Sequence, residues 1–124
     1  MTTVLVVDDN ARNRKLARDV LDAAVFDTLE AATGQEGVAL AAEHGPDVIL
    51  LDLRLPDMHG AEVVRLLRDG ERTAGIPVVA MSAMSLREHG DWLETAGFAG
   101  SIDKPFNVRT FPDEVRRFCA GAGG

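Results

Sequence analysis

Five groups able to do chemistry stand at the ends of strand-like runs. Asp8 and Asp9 follow Thr3-Val4-Leu5-Val6-Val7, and Asp52 follows Val48-Ile49-Leu50-Leu51. Ser82 closes Val78-Val79-Ala80-Met81, and Lys104 follows Gly100-Ser101-Ile102-Asp103. Carboxylates held ~4 Å apart repel by about 4 kcal/mol per pair at an effective dielectric near 20. Lys104 offsets part of such a clash between three acids. A hard divalent cation with oxygen ligands offsets the rest, and Mg2+ suits a site of few carboxylates and several waters. Asp8-Asp9-Asn10 stands where a phosphate cradle would need a glycine-rich loop, which disfavours dinucleotide, P-loop nucleotide and flavin phosphate binding. His44, His59 and His89 lack metal-ligand spacing and read as surface or helix-end histidines.

These groups converge only if the elements beneath them are arranged for it. Val48 to Leu51, bounded by Gly45-Pro46, is apolar without alternation, the pattern of a strand buried on both faces of a parallel sheet. Thr3–Val7 reads the same way, and so does Ile76 to Met81, with Pro77 at its start where a missing donor is tolerated. Thr28 to Ala32 is half polar and suits a sheet edge. Gly100 to Asp103 is a short fifth strand. In open α/β sheets, ligands bind outside the carboxyl ends of the strands. If the strands are parallel, all five groups share one edge.

Helices are expected between the strands. Asn10 caps one running to about Ala24, with Ala17, Val20, Leu21 and Ala24 on one face. Thr33 and Glu36 form a capping-box pattern that opens a helix through His44. A third runs from about Ala61 to Asp69 with Val63, Leu66 and Leu67 inward, and a polar loop follows from Gly70 to Gly75. Leu86 to Ala96 is a helix weakened at Gly90. Thr110 and Asp113 cap the last helix, with Pro112 in its first turn and Val115, Phe118 and Cys119 along its apolar side. Beyond it, Ala120 to Gly124 has nothing to pack and is expected to be a flexible Gly/Ala tail. Five strands alternating with five helices make an α/β fold with a parallel sheet, though periodicity leaves the strand order open.

Composition narrows the function. At 124 residues the chain suits one domain, and its net charge of −7 argues against direct nucleic-acid binding. The lone Cys119 rules out an internal disulfide and reads as a buried structural thiol in a reducing, cytoplasmic setting. No apolar run approaches the ~18 residues of a membrane span, so no membrane insertion is expected.

The motifs Leu5-Val6-Val7-Asp8-Asp9-Asn10, Leu51-Asp52-Leu53-Arg54-Leu55-Pro56-Asp57-Met58-His59-Gly60, Met81-Ser82-Ala83 and Lys104-Pro105-Phe106 span almost the whole chain. In order and spacing they resemble the receiver domain of two-component response regulators, in its stand-alone form. The resemblance implies a flavodoxin-like (βα)5 doubly wound parallel sheet of order 2-1-3-4-5, for which this family is itself a type example. It implies a receiver domain over residues 1–119.

By the same resemblance Asp52 is the phosphoacceptor. It and Asp9, with the Arg54 backbone carbonyl, are direct Mg2+ ligands, and Asp8 binds the metal through water. Ser82 is the hydroxyl that turns to the phosphoryl group, Lys104 the ammonium that pairs with it, and Lys104-Pro105 the family's cis peptide. The implied donor is a sensor histidine kinase or a histidine phosphotransfer protein. The implied output is a change in affinity for a downstream protein, by a domain that catalyses only its own phosphorylation and dephosphorylation. Two variants of this role are a relay intermediate that passes phosphate to a histidine phosphotransfer protein, and the receiver part of a larger regulator. An aspartyl phosphatase would carry a second Asp where Arg54 stands. Ser101 departs from the family, many of whose members carry an aromatic there. Arg54 and Met84 are poor at orienting an attacking water, so a long-lived phosphoryl group is expected, with output through residues 84–95 near Trp92.

Overall fold

The computed structural model describes residues 2–82, 96–103 and 107–123. Lys104-Pro105-Phe106, His89, Met84, Trp92 and the expected helix up to Thr95 lie outside the described residues. The described elements are β1 (Thr3–Val7), α1 (Ala11–Ala23), β2 (Asp27–Ala31), α2 (Gly34–His44), β3 (Val48–Asp52), α3 (Gly60–Asp69), β4 (Val78–Ser82), β5 (Gly100–Asp103) and α4 (Phe111–Gly123). The strands form one sheet in the order β2-β1-β3-β4-β5. Every neighbouring pair is parallel, as the resemblance implies, and the half-polar β2 lies at the edge.

Burial on both faces explains why the apolar runs do not alternate. Leu5, Val7, Ile49, Leu51, Val78 and Ala80 pack on one side with Ala41 of α2 and Val63, Val64 and Leu67 of α3. Val4, Val6, Val48, Leu50, Val79 and Met81 pack on the other with Ala17 and Leu21 of α1 and Phe111 and Val115 of α4. Each such buried side chain contributes roughly 1.5–3 kcal/mol relative to leaving it exposed.

Several expected boundaries move. β2 begins one residue early, at Asp27. β4 begins at Val78 rather than Ile76. Pro77 has no N–H for the ladder, but its carbonyl still accepts from Ile49 N at 3.0 Å. On α3 Val64 is buried together with Val63 and Leu67, while Leu66 is only half-buried. The helix lies against β3 and β4 with Val63, Val64 and Leu67 inward, which rotates its buried stripe away from Leu66. α3 also starts one residue early, at Gly60, because His59 caps it: its Nδ1 accepts from Ala61 N at 3.2 Å. α4 starts at Phe111, whose N–H donates to Asn107 O at 2.8 Å. Its backbone is helical to Gly123 rather than leaving the helix after Cys119, because the i to i−4 hydrogen-bond ladder needs no side chains to continue. Cys119 is half-buried rather than buried, and that burial pushes its thiol up.

The expected polar loop at Gly70 to Gly75 is more tightly held than its composition suggests. Thr73 is buried, with its hydroxyl donating to Leu67 O at 2.5 Å. Arg68 donates from Nη1 to Ala74 O at 2.9 Å and Ile76 O at 2.8 Å, and from Nη2 to Gly97 O at 3.2 Å. One guanidinium thus ties α3 to the approaches of both β4 and β5.

Candidate phosphoacceptor and metal site

The sheet register decides what meets at its carboxyl edge. Val7 is aligned with Leu51, so Asp8 and Asp9 emerge beside Asp52 at the end of the adjacent strand. One carboxylate oxygen from each of the three lies within 4.8 Å of the others. Their settings differ: Asp8 is buried, Asp52 half-buried and Asp9 exposed. This graded cluster offers only hard oxygen donors and an open side, which fits a cation of the Mg2+ type.

Each acid is held by its own element. The Asp8 N–H continues the β1 ladder onto Ala31 O at 3.0 Å. Its Oδ1 accepts from Asn10 N at 2.9 Å, and its carbonyl accepts from Arg14 Nη1 at 2.7 Å. Asn10 in turn caps α1, its Oδ1 accepting from Arg12 N at 2.9 Å and Asn13 N at 3.3 Å. The run Asp8-Asp9-Asn10 therefore converts strand into helix while aiming two acids at the sheet edge.

Asp52 ends β3, and its Oδ1 accepts from Arg54 N at 3.0 Å. The loop after it is closed on itself. Arg54 and His59 form an antiparallel bridge, and Gly60 N donates to Leu53 O at 3.3 Å. Buried Leu53 roots the loop in the core. At the outer end of the loop, Asp57 accepts from Gly34 N and Gln35 N, both at 2.9 Å. These two backbone donors, Gln35 first, hold the Asp57 carboxyl below its ordinary range. Thr33 Oγ1 accepts from Glu36 N at 3.1 Å, as the capping pattern predicts. The remaining cap of α2 comes from Asp57, twenty-three residues further along the chain than Gly34. The sequence contains a signal for that role only in retrospect, an Asp in the turn between Pro56 and Gly60.

Ser82 ends β4, paired in register with Asp103 of β5, while Met81 pairs with Asp52. The Ser82 backbone is thus one step beyond the partner of Asp52, on the same edge. Lys104, the residue after β5, lies outside the described residues. Ser101 pairs with Ala80, and its Oγ is buried without a hydrogen-bond partner. Beside it is a cavity of about 340 Å3 lined by Ser101, Ile102, Glu114, Arg117 and Phe118.

Comparison with known proteins places the fold among its relatives. A family model described as the response regulator receiver domain matches residues 4–116. The polar-differentiation response regulator DivK of Brucella ovis is 35% identical over 120 residues, which cover 97% of this chain and 98% of DivK. The structure of the chemotaxis response regulator CheY4 of Vibrio cholerae superimposes with a TM-score of 0.89 at 30% identity, covering 95% of this chain and 98% of that one. The receiver domain of a Pseudomonas aeruginosa sensor histidine kinase, solved with a magnesium ion coordinated in its active-site cleft, has a TM-score of 0.85 at 27% identity and covers 96% of this chain and 98% of its own. With motifs, sheet order and similarity all extending from end to end, the chain belongs to the response regulator receiver domain family of two-component systems.

Proposed function

We propose that this receiver domain, over residues 1–119, accepts a phosphoryl group on Asp52 from a phosphohistidine of a sensor histidine kinase or histidine phosphotransfer protein. The gathering of Asp8, Asp9 and Asp52 within 4.8 Å carries this reading. A cation bound among the three carboxylates would offset their mutual repulsion. The Asp9 and Asp52 carboxylates and the Arg54 carbonyl would hold Mg2+ directly, and Asp8 would hold it through water. When bound, Mg2+ supplies neutralising charge to the phosphoryl oxygens.

The chain's own groups do the rest. Arg54 N fixes one oxygen of Asp52, so the carboxylate is oriented before the donor arrives. A carboxylate oxygen attacks phosphorus, the P–N bond of the phosphohistidine breaks, and its electron pair returns to the imidazole. Phosphoryl transfer of this kind needs positioning and charge neutralisation more than covalent assistance. Lys104 would pair with a phosphoryl oxygen and Ser82 would donate its hydroxyl to another. The protein thus acts on its own side chain and changes its affinity for a downstream protein. The lone cysteine, and the lack among the described residues of any helix long and apolar enough to cross a membrane, support placing it with the kinase in the cytoplasm.

Intact-mass measurement after acetyl phosphate treatment with Mg2+ tests the reading. Wild type is expected to gain one phosphoryl group and Asp52→Asn none. Equal labelling of the two would remove Asp52 from the role.

A further inference from the structure

From the geometry of the loop after β3 we infer that Asp57 is a positioning residue for phosphoryl transfer at Asp52. It would act by clamping the outer end of that loop onto the first turn of α2. The inference rests on the proposed role of Asp52.

The chain of contacts is continuous. Asp57 takes the N–H groups of Gly34 and Gln35 at 2.9 Å each. Next to it, Met58 packs where α2 begins: a Cβ on Gly34 would lie 2.6 Å from Met58 Cγ and 2.9 Å from Val63 Cγ2. The loop can approach α2 this closely only because residue 34 has no side chain. One residue on, His59 bridges to Arg54, and Arg54 N holds Asp52 Oδ1 at 3.0 Å. The Arg54 backbone therefore has two anchors, the core through its neighbour Leu53 and α2 through Asp57 and Met58. Without the second anchor, the segment from Arg54 to His59 keeps its sequence but loses its fixed distance from the sheet edge. Reactive groups lose rate steeply when misplaced by even an ångström.

Thr33 provides the control, because its hydroxyl caps the same turn of α2 through Glu36 N, a bond made within the helix's own segment. Wild type, Asp57→Ala, Asp57→Asn and Thr33→Ala are compared by intact-mass labelling rate at saturating Mg2+ and acetyl phosphate, by thermal melting, and by hydrogen exchange of the Arg54 amide. Asp57→Ala is expected to label about tenfold more slowly and to lose Arg54 amide protection. Asp57→Asn, which keeps an acceptor oxygen, recovers part of both. Thr33→Ala lowers the melting temperature but leaves labelling rate and Arg54 protection at wild-type values. Wild-type labelling by Asp57→Ala, or equal slowing by Thr33→Ala, would overturn the inference. If Asp52 itself is not labelled in wild type, the proposed function fails instead. Arg54 protection unchanged in Asp57→Ala would show separately that Asp57 does not position that backbone.

Discussion

Two residues show how local conformation and charge act on stability. Val25 follows the C-cap of α1 with φ at 69° and is 67% exposed, a left-handed conformation that a β-branched side chain rarely adopts. Left-handed backbone costs an L-residue roughly 1–2 kcal/mol, and glycine is the usual residue here. Glycine also gains freedom in the unfolded chain, which offsets part of the benefit. Val25→Gly is therefore expected to stabilise by about 0.5–1 kcal/mol, read as a rise in the denaturant midpoint at constant slope. Asp57 gives a pH effect of definite sign. Its carboxyl is held below the ordinary range by two N–H donors in the folded state only. As pH falls, the unfolded chain therefore binds this proton first. The stabilisation is complete above about pH 4 and is lost as pH falls through the lower, folded value. Asp57→Asn, which cannot ionise, should show a shallower acid limb in melting temperature against pH. A limb as steep as wild type would mean that other carboxylates dominate it.

At the scale of elements, the carboxyl edge depends on how helices and loops are tied to the strands. Arg68 is the clearest tie, with three backbone carbonyls on one guanidinium. These lie on the turn after α3, just before β4 and just before β5. Hydrogen bonds to a charged donor contribute about 1.5–3 kcal/mol each when lost singly, but bonds sharing one donor group do not add fully. Arg68→Ala is expected to destabilise by about 2–4 kcal/mol in equilibrium denaturation. Arg68→Lys should recover only a minor part, because an ammonium lacks the planar fork that reaches divergent acceptors. Wild-type stability in Arg68→Lys would show that the aliphatic stem and the charge, rather than the fork, carry the effect. The same packing brings Phe118 of α4 onto β5. A Cβ at Gly100 would stand 2.6 Å from its ring, so the cavity beside Ser101 is walled by a helix pressed close to the strand.

For the whole molecule, a cation held at the acidic cluster would couple binding to folding. The folded state holds three carboxylates at one edge, a repulsion that the unfolded chain does not have. A cation bound only by the native state stabilises it by mass action. Melting temperature is expected to rise with Mg2+. Asp9→Ala should melt above wild type in the absence of metal and respond weakly to its addition. An Asp9→Ala variant that responds to Mg2+ as strongly as wild type would remove Asp9 from the ligands. Asp9 suits this test because it is exposed and outside both core clusters, so its removal leaves no cavity.

Local pattern is enough to mark the strands, their acidic ends and the class of fold. A strand buried on both faces must be a continuous apolar run, and a charge at its end can only stand where the run leaves the core. The caps at Asn10 and Thr33 were legible for a similar reason, since a cap and the amides it accepts lie within three residues. The resemblance of motifs supplied the order of the strands, which periodicity cannot, because any parallel pairing satisfies the same pattern. The remaining features follow from packing between distant elements. Val64 rather than Leu66 is buried because α3 is rotated by what it packs on. Arg68 reaches Gly97 across twenty-nine positions, and Asp57 reaches Gly34 across twenty-three. Neither pairing leaves a local trace, because the partners are backbone groups whose availability depends on how distant elements are placed.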